Sequence, residues 1–159
     1  MNFWVAPAGL HVEMGKVADA DALATIHAQG FYRGWPKSDF AAYLADPHTT
    51  PTYVAADARR RIVGFAMLRI LGAECELLSV AVERKMRGKG IARALLNAAF
   101  DDLRLTPVNA MFLEVDETNA GAIGLYRSMG FKDIGTRKGY YPHADGSVAA
   151  ALVMRADLG

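Results

Sequence analysis

Apolar positions along this chain fall into two rhythms, and the switches between them divide it into elements. Leu10 to Met14 alternates weakly and suggests a first strand. Behind Asp19, a candidate N-cap, Leu23, Ile26, His27 and Gly30 recur at helical spacing. Phe31-Tyr32-Arg33-Gly34-Trp35-Pro36 breaks the pattern as an aromatic loop. Ser38 then caps a short predicted helix with Phe40, Tyr43 and Leu44 on one face, and Asp46-Pro47 ends it. Thr52 to Ala56 and Arg61 to Ile70 suggest a hairpin around Asp57-Ala58-Arg59-Arg60. Glu76 to Val82 has the continuous apolar character of a buried strand. Gly90 to Leu103 is a predicted helix with Ile91, Leu95, Ala98 and Ala99 along one stripe, and Asn109 to Val115 returns to a strand. Asn119 to Met129 is again helical, with Ala122, Leu125, Tyr126 and Met129 on one face and Gly130 as a left-handed cap. Lys132 to Tyr140 and Ala149 to Ala156 suggest a final antiparallel pair around the loop from Tyr141 to Gly146. Early antiparallel strands followed by a strand–helix–strand–helix unit predict an α/β class with a mixed sheet. No repeat, low-complexity tract or linker interrupts this order, so residues 1–159 are expected to form one domain.

Composition adds exclusions. At 159 residues, 52% apolar and 22% charged, this is an ordinary globular chain with length enough for a sizeable core. A net charge of +1 argues against bulk nucleic-acid binding. Locally, Arg84, Lys85, Arg87, Lys89 and Arg93 cluster, which suits an anionic ligand or a solvated charged turn. The single cysteine, Cys75, allows no internal disulfide and fits a reducing cytoplasm; its place at the start of a predicted buried strand makes it a core residue rather than a nucleophile. No apolar run has the length of a membrane span, and the first residues lack the pattern of a signal peptide, so a cytoplasmic location with no membrane partner is expected. Phe3, Trp4 and Val5 in the Met1 to Gly9 segment are left to pack on the sheet or on a partner. No Cys/His/carboxylate spacing points to a metal.

Chemistry concentrates at Arg87-Gly88-Lys89-Gly90-Ile91-Ala92, between the strand ending at Val82 and the helix opening at Ile91. A glycine-bearing loop entering a helix gathers free N–H groups at the positive end of the helix dipole, a site for phosphate or pyrophosphate. A P-loop requires Ser or Thr after its Gly-Lys pair, and none is present. A dinucleotide loop of the form G-x-G-x-x-G/A fails because the alanine comes one residue early and the strand comes late in the chain. What remains is R-x-x-G-x-A. On this motif the chain resembles the GNAT superfamily of acetyl-CoA-dependent N-acetyltransferases, whose pyrophosphate loop has the form [QR]-x-x-G-x-[GA].

The resemblance extends through Leu113-Glu114-Val115-Asp116-Glu117-Thr118-Asn119 to Ala122-Ile123-Gly124-Leu125-Tyr126 and Gly130-Phe131. That run is similar to the L-E-V-x-x-[ST]-N-x-x-A-I-x-L-Y-x-x-x-G-F pattern of the RimI-type branch, which acetylates the N-terminal amine of a ribosomal protein. Arg137 to Pro142 resembles that branch's R-x-x-Y-Y-P segment. The similarity implies a GNAT fold, a mixed and mostly antiparallel sheet of about six or seven strands flanked by about four helices. It also implies acetyl transfer from acetyl-CoA to a primary amine in a direct ternary complex, with no metal. The implied acceptor is the N-terminus of a protein or peptide, such as a ribosomal protein. A small polyamine, amino acid or antibiotic amine is the alternative acceptor, and a non-catalytic acetyl-CoA-binding module is the alternative of another class. Oligomeric state is not legible.

An α-amine of pKa about 7.7–8.0 arrives mostly protonated, so a base must take a proton. Glu114, in the apolar strand Met111 to Val115, is the candidate base, because burial raises a carboxyl toward a useful pKa. The alternative is an outward-facing strand carboxylate. Tyr126 is the candidate acid for the departing thiolate, or else a core tyrosine. It lies seven residues past Asn119, roughly 10 Å along a helix. Asn119 is an N-cap on residue grounds; the resemblance adds contact with the cofactor. The resemblance further implies that Val80, Ala81 and Val82 offer backbone groups to the acetyl and pantetheine amides. It gives Arg87, Gly88, Lys89, Gly90, Ile91, Ala92 and Arg93 to the pyrophosphate. Asp116 belongs to an acidic cluster with Glu114 and Glu117 that suits a cationic amine, and Trp35, Tyr140 and Tyr141 are candidate walls of an acceptor cleft or packed loop residues. His143 is a second candidate base or a solvated loop histidine. The RimI-type pattern carries a basic residue where this chain has Asp116, and an acidic pair before the final strand where this chain has Ser147-Val148-Ala149-Ala150. Both departures bear on the acceptor rather than the donor.

Overall fold

A computed structural model describes residues 3–31 and 33–158 of the protein. Tyr32 of the aromatic loop and Met1 and Asn2 of the first segment lie outside the described residues. The strands are β1 (Phe3–Val5), β2 (His11–Met14), β3 (Thr52–Ala56), β4 (Ile62–Leu71), β5 (Glu74–Val82), β6 (Ala110–Asp116), β7 (Lys132–Pro142) and β8 (Val148–Asp157). The helices are α1 (Ala20–Gly30), α2 (Lys37–Leu44), α3 (Ile91–Leu103) and α4 (Ala120–Ser128). All eight strands form one sheet in the order β1-β2-β3-β4-β5-β6-β8-β7, with β5–β6 the parallel pair among the described residues. The expected class and mixed sheet are present, with more strands than the expected six or seven. One of them is β1, which pairs antiparallel to β2. It packs on the sheet: Trp4 donates to Asp101 at 2.9 Å and lies edge-on to Tyr53.

The sheet separates two apolar layers. On one face, Leu95, Leu96 and Ala99 of α3 and Ile123 and Tyr126 of α4 pack on Leu77, Leu113, Val115 and Met154. On the other, Leu23, Ile26, Phe40 and Leu44 of α1 and α2 pack on Val54, Phe65, Met67 and Ala81. Strand alternation decides which residues meet which layer.

Two expected caps act differently. Asp19 makes no side-chain cap to α1. Its buried carboxylate instead accepts from the Lys16 N–H at 2.8 Å and from Arg60 at 2.7 and 3.0 Å, an ion pair between distant segments that helical periodicity does not reveal. Ser38 lies inside α2, whose N-cap is Pro36. Gly130 takes φ +99°, the left-handed conformation expected after α4.

Three irregularities shape the region around the parallel pair. In the β4–β5 ladder Met67 faces Ser79 and Leu68 faces Leu77, which leaves Leu78 as an extra, bulged residue. The β5–β6 pairing covers Glu74 to Glu76 against Ala110 to Phe112 and then ends. A bulge bends its strand, so the kink at Leu78 turns β5 away from β6 just beyond their last pair. In β7, Arg137 to Tyr141 spans the stretch that β8 covers from Ala151 to Ala149, so the extra residues bulge there, with Gly139 at φ +66°.

Candidate active site

Where β5 and β6 part, a cleft of about 860 Å³ opens through the sheet. Among the described residues, the β6-facing edge of β5 from Leu77 to Val82 has no strand partner, which leaves backbone donors and acceptors exposed to whatever fills the gap. Val80, Ala81 and Val82 line it, and Val115 and Asn119 line the facing side.

The anion end is built by α3. Gly88 and Gly90 sit at φ +78° and +81°, a left-handed backbone that favours glycine and turns the chain abruptly into the helix. The Ala94 N–H to the Gly90 carbonyl, 3.1 Å, is the first bond of the helix. The N–H groups of Ile91, Ala92 and Arg93 therefore project from its end, and among the described residues no side chain caps them. Gly88, Gly90, Ile91, Ala92 and Arg93 all line the cleft. Arg87 lines it as well, and both arginine side chains hold protein partners: Arg87 Nε donates to the Val82 carbonyl at 3.2 Å, and Arg93 donates to Ser128 Oγ at 2.7 Å. Lys89 does not line the cleft and stands exposed beside it. Asn119 caps α4, its Oδ1 accepting from the Ala122 N–H at 3.2 Å.

Glu114 and Tyr126 both line this cleft but reach it from opposite faces of β6. Leu113 and Val115 point into the α3–α4 layer that holds Tyr126, so Glu114 between them points the other way. Tyr126 is buried, edge-on to Phe131 at 5.7 Å, and burial pushes its phenol up to about 12. A buried phenol needs a polar partner, and the cleft is where one can enter. Glu114 is not enclosed by its apolar strand as its neighbours suggest. Alternation brings it to the half-buried face, with its side chain 23% exposed. One nitrogen of Arg137 lies 2.9 and 3.2 Å from its two oxygens, and the Tyr141 hydroxyl donates to its backbone carbonyl at 3.1 Å.

The acidic cluster is internally partnered. Asp116 accepts from the Thr118 N–H and hydroxyl on one oxygen and faces His143 Nε2 at 2.5 Å on the other. Burial opposes its ionisation, but the bonds from His143 and Thr118 outweigh that and hold its carboxyl below the usual range. Reciprocally, the bond to Asp116 raises the His143 imidazole above its ordinary pKa. Glu117 accepts from the Ala150 N–H at 3.3 Å.

Of the proposed acceptor walls, Asp116 and Tyr141 line the cleft, as does His143. Trp35 and Tyr140 do not. Trp35 stacks on His27 at 4.7 Å, and Tyr140 lies under Arg137, 4.3 Å from its guanidinium carbon. Sequence reasoning missed Arg137 as a partner of Glu114 because the two meet across the intervening β8, a relation without a local spacing. It also missed Phe31, which lines the cleft from the end of α1 and stacks on His27 at 4.1 Å. Its position in the aromatic loop was the available signal.

Comparison with known proteins follows the same geometry. The acetyltransferase (GNAT) family model matches residues 20–131. The chain is 37% identical over 148 residues to the N-alpha-acetyltransferase RimI of Mycobacterium tuberculosis, covering 89% of each protein. The crystal structure of the ribosomal-protein-S18-alanine N-acetyltransferase from Escherichia coli superposes with a TM-score of 0.86 at 27% identity, over 94% of both chains. Arabidopsis thaliana NAA60 in complex with acetyl-CoA shares the fold, with a TM-score of 0.82 at 20% identity over 93% of this chain and 98% of that one.

Proposed function

Because this chain belongs to the acetyltransferase (GNAT) family and is an acetyl-CoA-dependent N-acetyltransferase, we propose that its acceptor is the N-terminal α-amine of a protein or peptide. The names of its relatives support that acceptor: one is an N-alpha-acetyltransferase, and another modifies the alanine of a ribosomal protein. A ribosomal protein N-terminus is thus one candidate substrate.

The residues present fit acetyl-CoA. The uncapped N–H groups of Ile91, Ala92 and Arg93 suit a pyrophosphate, and the unpaired edge at Val80, Ala81 and Val82 suits an amide-bearing arm. Acetyl-CoA brings the acyl group as a reactive thioester. Glu114 takes a proton from the acceptor ammonium, on the α1–α2 face of β6. Tyr126 gives a proton to the departing sulfur from the α3–α4 face. An N–H from the β5 edge stabilises charge developing on the thioester oxygen. Asn119 fixes the start of α4 and with it the approach of Tyr126. Asp116 and Tyr141 border the acceptor's path.

The observation that carries this reading is that Glu114 and Tyr126 face one cleft from opposite sides of β6. Initial-velocity kinetics with a panel of free-N-terminus peptides, polyamines, amino acids and antibiotic amines tests it. Intersecting lines with peptide turnover are expected. Turnover confined to the small amines would overturn the acceptor assignment.

A further inference from the structure

We propose that Arg137 occupies the seat of the acceptor's ammonium on Glu114, and that the acceptor reaches the base by displacing it. This rests on the reading of Glu114 as the base. A carboxylate that collects a proton from a cationic amine must first meet that cation. In the structure both its oxygens are already engaged by one nitrogen of Arg137, at 2.9 and 3.2 Å. Asp116 and Glu117 offer the incoming charge little, being held by His143, Thr118 and the Ala150 N–H. Glu114 differs from them in the character of its partner. Arg137 is a long side chain with 58% of its surface exposed, on the strand where β7 bulges away from β8.

The guanidinium also has a second place to rest. Its carbon already lies 4.3 Å from the Tyr140 ring centroid, so leaving Glu114 does not strand the charge. The exchange is of one cation for another: the guanidinium leaves, the ammonium enters, and Glu114 then takes one proton from it. Arg137 is accordingly a positioning residue. It keeps the base paired while the cleft awaits its acceptor, and it selects acceptors that arrive as cations.

The test uses the full chain with Arg137→Ala, Arg137→Gln and Arg137→Lys. Acetyl-CoA affinity and thermal midpoint establish that each variant is folded and loaded. Without a competing guanidinium, the acceptor KM falls roughly two- to fivefold in the Ala and Gln variants, the factor of an exposed ion pair. Lysine keeps KM near that of the parent. Ethylguanidinium, refilling the vacated seat, becomes a competitive inhibitor against the acceptor in Arg137→Ala and leaves the parent unaffected. A merely structural arginine produces neither effect. An acceptor KM that stays level or rises in both the Ala and Gln variants, with acetyl-CoA affinity retained, overturns the proposal. Should Glu114→Gln itself leave turnover intact, the base assignment fails and the seat with it. Impaired Glu114→Gln beside an unmoved KM in the arginine variants sinks the placeholder alone.

Discussion

His27 is expected to make the protein acid-labile through a single, traceable proton. Its ring is 1% exposed, stacked between Phe31 at 4.1 Å and Trp35 at 4.7 Å, with Phe40 edge-on at 5.5 Å. Nδ1 accepts from the Trp35 N–H at 3.2 Å, so that nitrogen cannot take a proton without losing the bond. Burial lowers its pKa from 6.5 to about 4. A depressed folded pKa means that the unfolded chain binds the proton first. The associated stability is therefore complete above about pH 6.5 and is lost as pH falls toward 4. At about 1.4 kcal/mol per unit, the shift is worth about 3 kcal/mol, a large part of the stability of a domain this size. Denaturant unfolding of the parent and of His27→Phe, from pH 7 to pH 4.5, measures it. The variant keeps an aromatic ring and removes the titration. It starts less stable by about 1 kcal/mol because the Trp35 N–H loses its acceptor. The gap between the two proteins should then narrow, and close or reverse, toward pH 4.5. A gap that stays constant across that range would falsify the argument.

Other expected outcomes bear on the chemistry and the scaffold. Glu114→Gln should lower kcat by about 10²- to 10⁴-fold at pH 7, with partial recovery toward pH 9 as the amine deprotonates unaided; a pH–rate profile checks both. Tyr126→Phe should lower kcat by up to a similar factor while acetyl-CoA affinity holds, as binding and turnover measurements will show; unchanged turnover removes the acid assignment. Arg60→Ala leaves the buried Asp19 carboxylate without its guanidinium and should cost about 3 kcal/mol, read as a drop in thermal midpoint. Gly90→Ala meets no serious clash, its Cβ coming 3.7 Å from Pro7, but must hold a left-handed φ. A loss of about 1–2 kcal/mol and a raised KM for acetyl-CoA are expected, by calorimetry and kinetics.

The proposed donor half of the site is legible because its determinants are consecutive. A strand end, two glycines and a helix start follow one another from Val82 to Ile91, and local backbone chemistry is enough to place an anion there. Asn119 and Gly130 mark the ends of α4 for the same reason. The acceptor half resisted because its contacts cross the sheet. Glu114 meets Arg137 over β8, and Asp116 meets His143 from a loop 27 residues away. The bulge at β7 obscured the rest: period-two alternation places Tyr140 and Tyr141 on opposite faces but gives no sign that extra residues intervene before Tyr141 rejoins β8. Asp19 misled for a related reason, since an aspartate before a helix looks like a cap whether or not a distant arginine claims it.

On the proposed mechanism, the bulge at Leu78 is what lets Glu114 and Tyr126 serve one substrate as base and acid. Had β5 stayed paired with β6 along its length, the sheet would be continuous, and Glu114 and Tyr126 would be separated by a wall of hydrogen-bonded backbone. Parting the strands beyond Glu76 opens that wall and leaves an unpaired edge to hold a substrate within it. The gap is lined from both layers, so residues of each would reach a thioester held there. On the proposed mechanism the acceptor would enter from the α1–α2 face, where Glu114 and Arg137 stand, and Tyr126 would give its proton from the other. The two proposed proton transfers would thus be kept apart by the sheet itself, so Glu114 and Tyr126 need not share one environment. Tyr126 is buried, with its phenol pushed up to about 12, while Glu114 is largely but not fully buried and ion-paired.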